Sequence, residues 1–336
     1  MEPTARTFVA ADIGGTKTTL GLFEACDRPG QVLHLVGEET YRSRDHASFE
    51  EILVEFLGEQ PRGGLCAGCF GVPGPIVAGR VETTNLPWIL EETPLAAAIQ
   101  APVKLLNDLE AAAYGMLFLP EGELAVLNAG TRPRGRGNIA LIAAGTGLGE
   151  AMLFYDGERH HPIASEGGHG SFAPTNERQI ELLRWLQRRF GGHVSYERVL
   201  SGPGLRNIYD FLREASEAPE PSWLVEELRS GDPSAAITRA GIEKRDPVCV
   251  EALQLFASVY GSEAGNMALR SLALGGVFVG GGIAPKLLSV LQSGEFMASF
   301  VEKGRFRKFA ERTHVAVALD LRAPLIGSAH YALRIC

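Results

Sequence analysis

The sequence has no excess of positive charge, no long apolar run and too few cysteines to brace a fold. Of its 336 residues, 32 are Lys or Arg against 40 Asp or Glu, giving a formal net charge of −8. That sign excludes a surface that holds nucleic acid mainly through its phosphates, so any anionic partner must be met locally. Apolar stretches such as SLALGGVFVGGG are broken by glycine and fall well short of the ~20 residues a membrane span requires. The N-terminal MEPTARTFVAADIGG enters a strand-like run after about seven residues, with no apolar segment of secretory length. A cytoplasmic protein that binds neither membrane nor nucleic acid is expected, and those few residues leave no room for a DNA-reading helix pair. The five cysteines, Cys26, Cys66, Cys69, Cys249 and Cys336, are odd in number and scattered, so no disulfide framework is expected. Cys66 and Cys69 form a CxxC, but inside the apolar run LCAGCFGV and with no second Cys or His pair at metal-site spacing. The pair reads as part of a buried strand.

What is present is material for a packed interior, 45% hydrophobic and 21% charged residues, in a length that suits two lobes. FVAADIGGTKTTLGLFE reads as two β-runs joined around Gly14 and Gly15. A third strand follows over 31–43, then an amphipathic helix opening on Ser48. LCAGCFGV is a strand, PGPIVAGRVETTNLPW a loop, TPLAAAIQ a short helix, PVKLLND a strand and LEAAAYGMLFL a helix. From Asn138 the pattern restarts, because NIALIAAGTGLGEAMLFYDG again gives two β-runs around a Gly-rich turn, roughly 130 residues on. This points to an internal duplication. Residues 177–275 carry helical periodicity, with PSWLVEELRSGDPSA as connecting helix and loop. VFVGGG is a late strand leading to a helix start at Ala-Pro-Lys, and the tail HVAVALDLRAPLIGSAHYAL gives a strand and a helix that close back on the first lobe.

Several clusters along this path carry chemistry. In Asp12-Ile-Gly14-Gly15-Thr16-Lys17 the glycines can turn backbone N–H groups toward an anion, with Asp12 on the metal side of a phosphate chain. A tight hairpin needs glycine in any case, and the Walker spacing is absent. Gly145-Thr146-Gly147 belongs to a second such turn, GxGxG followed by a strand, which excludes a dinucleotide fold. Asn107 and Asp108 close a strand and open a helix. Either suits a helix cap, while a carboxylate there could also take the proton of an alcohol attacking a γ-phosphate, with Asn107 bonding a hydroxyl. Glu166 and His169 lie in the glycine-rich loop ASEGGHGSFAP, able to bind a polyol through directed hydrogen bonds. His160, His161 and His169 lack a metal-ligand spacing. Glu197, in YERVLSGPG, is a further carboxylate near a helix junction or simply a solvated one. Gly280, Gly281 and Gly282 offer a flat surface for an adenine, or a plain strand-to-helix turn.

DIGGTK, PGP with NLPW, LLNDLEAAAYG, AAGTGLG, SEGGHGSFAP, YERVLSGPG and GGGIAPK together resemble, in this order and from about residue 8 to 330, the bacterial glucokinases of the hexokinase and actin-like ATPase superfamily. The resemblance implies an α/β fold of two ribonuclease-H-like lobes, each a mixed sheet flanked by helices, around a central cleft. The expected division is 1–118 with 316–336 as the small lobe and 119–315 as the large one. It also implies ATP-dependent phosphorylation of D-glucose at the 6-hydroxyl, with Mg²⁺ and in a homodimer. Asp108 would be the catalytic base, and Asn107, Asp108, Glu166, His169 and Glu197 the sugar-binding set. Asp12, Gly14, Gly15, Thr16 and Lys17 would form the first phosphate loop, with Asp12 facing the metal directly or through water. Gly145, Thr146 and Gly147 would form the second, and Gly280 to Gly282 the adenosine end. A kinase for mannose, fructose or an N-acetylhexosamine, or a non-catalytic sugar sensor, are the alternatives. The related ROK family carries a cysteine-rich zinc loop after its Glu-x-Gly-His motif. No cysteine lies between Cys69 and Cys249, so the resemblance is to the branch without zinc.

Overall fold

Alternation of the side chains of Arg6–Ile13 puts Phe8 and Ala10 on one face and Val9, Ala11 and Ile13 on the other, all apolar, so this strand needs cover on both sides. In the computed structural model, which describes residues 6–25, 33–58, 64–83, 85–131, 135–216 and 218–336, it is the central strand β1 of a five-stranded sheet. Residues 1–5 and Cys26 lie outside the described residues. The chain returns as β2 (Lys17–Ala25) and β3 (Leu33–Arg42), both antiparallel to their neighbours. Helix α1 (Phe49–Leu57) begins at Ser48, whose Oγ accepts from the Glu51 amide at 3.4 Å. β4 (Leu65–Val72) then runs parallel to β1. The stretch expected to be plain loop contains a hairpin of β5 (Arg80–Glu82) and β6 (Ile89–Glu91), whose three-residue strands are too short to give a periodic signal. Helix α2 (Glu92–Ile99) leads to β7 (Val103–Asn107), parallel to β4, and to α3 (Asp108–Gly115).

Chain contacts divide the molecule into two units, and this sheet belongs to the first, made of the described residues up to Pro120 with Pro162–Ala164 and Arg322–Cys336. Helices α1 and α2 cover the Val9 face, burying Phe49, Ile52, Leu95 and Ile99. The opposite face, with Phe8, Ala10, Ala67 and Cys69, packs under α3 and the C-terminal helix Ala323–Ile335. Cys69 is thus a core residue, and burial pushes its thiol up. The four described cysteines, Cys66, Cys69, Cys249 and Cys336, are free thiols.

The second unit, Glu121–His161 with Ser165–Leu321, repeats the plan. Its sheet holds β8 (Leu124–Asn128), β9 (Ile139–Ala144), β10 (Leu148–Tyr155), β11 (His160–Ile163, whose last two residues fall in the first unit), β12 (Gly276–Gly280) and β13 (Val315–Ala318). The order β11-β10-β9-β12-β13 matches β3-β2-β1-β4-β7 position by position, with β9–β10 antiparallel and β9–β12 and β12–β13 parallel as in the first sheet. β8 adds an antiparallel edge. Here the tail departs from the sequence reading, since β13 is bonded into this second sheet and only the C-terminal helix joins the first unit. The helices are α4 (Glu177–Phe190), α5 (Gly202–Ala215), α6 (Ser222–Ser230), α7 (Pro233–Ile242) and α8 (Pro247–Ser271), so the connecting segment holds two helices and not one. α8 is apolar nearly all round, as a helix at the centre of a core must be.

Candidate active site

In the first unit the chemistry gathers at the C-terminal ends of parallel strands, where side chains of an α/β sheet reach out of the core. Asp12, next to last in β1, is in register with Gly71 of β4, and Gly71 with Leu106 of β7. Asp12 and Asn107 therefore stand about two strand spacings apart, ~10 Å. Although part of its surface stays open, Asp12 has enough protein around it that burial pushes its carboxyl up to about 6, against the pull of the Lys17 ammonium. A carboxylate so desolvated gains from a cation beside it.

The turn after Asp12 is closed by the Gly14 amide donating to the Lys17 carbonyl at 2.9 Å. Ser43, just past β3, holds it from below. Its hydroxyl donates to the Gly14 carbonyl at 2.7 Å, its amide donates to the Thr16 carbonyl at 3.1 Å, and its Oγ lies 3.0 Å from Thr18 Oγ1. Thr16 and Lys17 are exposed at the tip. Nothing in the sequence singled out Ser43, since one serine after a strand carries no spacing.

Asn107 and Asp108 share the junction unequally. Asn107 is the N-cap of α3, accepting from the Leu109 amide at 3.0 Å, with Glu110 bonding back to the Asn107 amide at 3.0 Å. Its side-chain amide also donates to the Gly74 carbonyl at 3.3 Å, tying down the loop after β4. Asp108 is the first helical residue, half-buried, with Oδ1 accepting from the Leu109 amide at 2.9 Å. The negative side chain at this helix end is favoured by the helix dipole.

In the second unit, Gly145, Thr146 and Gly147 turn β9 into β10, with the Gly145 amide donating to the Gly147 carbonyl at 2.8 Å. Glu197 sits directly beneath. Its Oε2 accepts from the Leu148 amide at 3.1 Å and lies 2.5 Å from where a Cβ on residue 147 would be, so a side chain there would push the Glu197 carboxylate off this bond. The Gly145 carbonyl accepts from Gly202, first residue of α5, at 2.8 Å. At the neighbouring strand end, the Ile283 amide donates to the Ala144 carbonyl at 3.2 Å, joining the Gly280–Gly282 turn to the same loop. Tyr260 of α8 fills the fork between the two strands, its hydroxyl accepting from the Ala144 amide at 3.1 Å and donating to the Ile142 carbonyl at 3.3 Å. The helix expected right after the glycines begins only at Leu288, past a run of turns.

Gly145, Thr146 and Gly282 open on one cavity of about 780 Å³. Its wall includes Phe190 at the end of α4 and Arg198, whose guanidinium stacks on the Phe190 ring at 4.2 Å, together with Lys286. The sequence reading missed these residues, although Arg198 lies within YERVLSGPG beside Glu197. The Glu166 and His169 side chains face each other at 3.9 Å and are largely exposed, on a short 3₁₀ turn over Gly167–His169. That turn runs beside the Glu197 segment, with the Tyr196 amide donating to the Gly170 carbonyl at 2.9 Å. Of the sequence candidates in this unit, Glu166, His169 and Glu197 are thus brought side by side, next to the second glycine turn. His160 and His161 are engaged elsewhere, with Gly137 and Asp156. Among the described residues no group of three or more His, Cys, Asp or Glu could hold a metal by itself.

The sequence model of the family described as Glucokinase matches residues 9–335. The glucokinase of Nostoc punctiforme is 40% identical over 340 residues, spanning 97% of this chain and 99% of that protein. Among solved structures, the glucokinase of an Antarctic psychrotroph superposes with a TM-score of 0.85 at 30% identity, covering 98% of this chain and 99% of its own. A ROK family glucokinase from Streptomyces griseus, solved with glucose and AMPPNP, shares the fold at a TM-score of 0.64 and 20% identity, over 98% and 99% of the two chains.

Proposed function

We propose that this chain, which belongs to the glucokinase family, transfers the γ-phosphoryl group of ATP to the 6-hydroxyl of D-glucose in the cytoplasm, working as a homodimer. The observation that carries the reading is Asp108, a half-buried carboxylate at a strand's C-terminal end, in a helix whose cap Asn107 already supplies. A carboxylate at this position can orient the sugar hydroxyl and take its proton as the oxygen attacks phosphorus. Asn107, Glu166, His169 and Glu197 hold the remaining hydroxyls, where the mix of acceptors and an imidazole suits a neutral polyol better than an anion.

Phosphates fall to the two glycine turns. The Gly14 and Gly145 amides close their own turns, so the amides that meet oxyanions are those of Gly15, Thr16, Thr146 and Gly147, aided by Lys17. The base lies along Gly280–Gly282, with the Arg198 guanidinium, braced by Phe190, as a stacking surface. Asp12 fits a single carboxylate contact to Mg²⁺, direct or through water, because its raised carboxyl is eased by positive charge and the phosphates supply the other oxygens. When bound, the ion neutralises charge that develops on the phosphates.

Initial rates over a panel of hexoses crossed with ATP, ADP and polyphosphate test this. The reading expects glucose with ATP to give the highest rate and ADP to appear only when sugar is present. Sugar binding without sugar-dependent ADP would make the chain a sensor, and a faster rate with another hexose or donor would reassign the substrate.

A further inference from the structure

Beneath the Glu166–His169 turn lies a buried charged cluster that phosphoryl transfer does not itself employ. Glu150, on β10, is 2% exposed and Glu263, on α8, is fully buried. A single guanidinium serves both, since Arg270 is hydrogen-bonded to Glu263 and its Nη1 stands 4.0 Å from Oε2 of Glu150. Glu263 Oε2 also accepts from Asn266 at 2.9 Å, and the same Asn266 amide reaches the Tyr196 hydroxyl at 3.4 Å. Oε1 of Glu150 has no hydrogen-bond partner among the described residues. Two buried carboxylates sharing one guanidinium leave a charge that the interior tolerates poorly. Burial accordingly holds the Glu150 carboxyl above its usual range, against the pull of Arg270.

Such a group is expensive to keep for packing alone, and its position gives it a use. Oε2 of Glu150 occupies the place that a Cβ on Gly167 would take, and the Leu148 carbonyl occupies that of Gly168. The backbone of the turn therefore rests on the flat carboxyl of Glu150 and on the start of β10. On the α8 side, Gly167, Gly170, Tyr196, Asn266, Leu269 and Arg270 border an open cavity of about 400 Å³, so there the turn faces open space. We infer that Glu150, anchored by Arg270 and Glu263, is a positioning residue that sets the height of the Gly167–His169 backbone and so aims Glu166 and His169 at the sugar. This rests on the reading that those two side chains bind sugar.

Full-length Glu150→Gln, Glu150→Leu, Arg270→Lys and Glu166→Gln separate the two claims. Glutamine keeps the flat shape, so Glu150→Gln should hold the glucose KM within about 2-fold of the parent. Leucine is branched and lifts the turn. Glu150→Leu should raise the glucose KM on the order of 10-fold, as misplacement of binding groups does, with the ATP KM within about 2-fold. Arg270→Lys, at a half-exposed position, should shift the glucose KM in the same direction and covers the case in which the leucine variant does not fold. An unchanged glucose KM in the leucine variant, or in the lysine variant if leucine fails to fold, overturns the inference, as does an equal rise in both KM values. Glu166→Gln reports on the underlying reading. If its glucose KM does not rise, the sugar assignment fails; if it rises while the Glu150 and Arg270 variants behave as the parent, only the positioning role fails.

Discussion

Burying Asp12 at the end of β1 costs stability that a bound cation would return. Its carboxyl titrates near 6 in the fold against an ordinary value of 3.8, with burial as the main cause and Lys17 opposing. Between those values the folded chain holds a proton that the unfolded chain has released, so the stabilising contribution is complete below about 4, falls as pH rises through 6 and is then level. Asp12→Asn removes this dependence. Its thermal midpoint should equal the parent's at pH 4 and exceed it by several degrees at pH 7.5, given ~1.4 kcal/mol per pKa unit, while turnover drops. A lower midpoint at pH 7.5 would mean that Asp12 is not desolvated as described. At this scale the sequence disclosed residues that come with a companion: Asp12 beside its glycines, Asn107 beside Asp108, Glu166 three before His169. It did not disclose Ser43, Glu150 or Tyr260, whose roles depend on partners 29, 120 and 116 residues away. A single polar residue has no spacing to be read by.

At the scale of elements, α3 is held where Asp108 needs it by an unusually close helix crossing. The Cβ of an alanine at 327 would run into the Ala111 carbonyl, and one at 115 into the Ala323 carbonyl. This explains why LEAAAYG is built of small residues, which the sequence alone presents only as a good helix former. Two effects compete in Gly327→Ala. Alanine gains ~1 kcal/mol of helix propensity, whereas overpacking against backbone typically costs ~1–3 kcal/mol. Because the clash is with a carbonyl and not with a flexible side chain, overpacking should win, lowering the thermal midpoint by several degrees. A raised midpoint would show that the helices separate easily. The long elements were legible from periodicity and caps, α1 from Ser48 and β4 from its apolar run. β5, β6, β8 and β11, of three to five residues, were not, because they are short and partly exposed, whereas the equally short β7, β12 and β13 are largely or wholly buried apolar runs.

Over the whole molecule, the repeated order of five strands explains why two unlike stretches of sequence both turn on glycine after their first strand. In each sheet that turn leaves the central strand at the end where parallel neighbours also finish, so the repeated fold sets at the same place in each unit one of the two turns proposed to meet the phosphates. The duplication was visible in the sequence only at these turns, the rest having diverged under different helical cover. The fate of the tail was hidden, because a strand and a helix separated by four residues pack in different units. The account as a whole stands on Asp108 as the base. Asp108→Ala should bind glucose with nearly the parent's affinity, measured by calorimetry, while its kcat falls ~10²–10⁴-fold. Near-parental kcat in a variant that still binds glucose would contradict it.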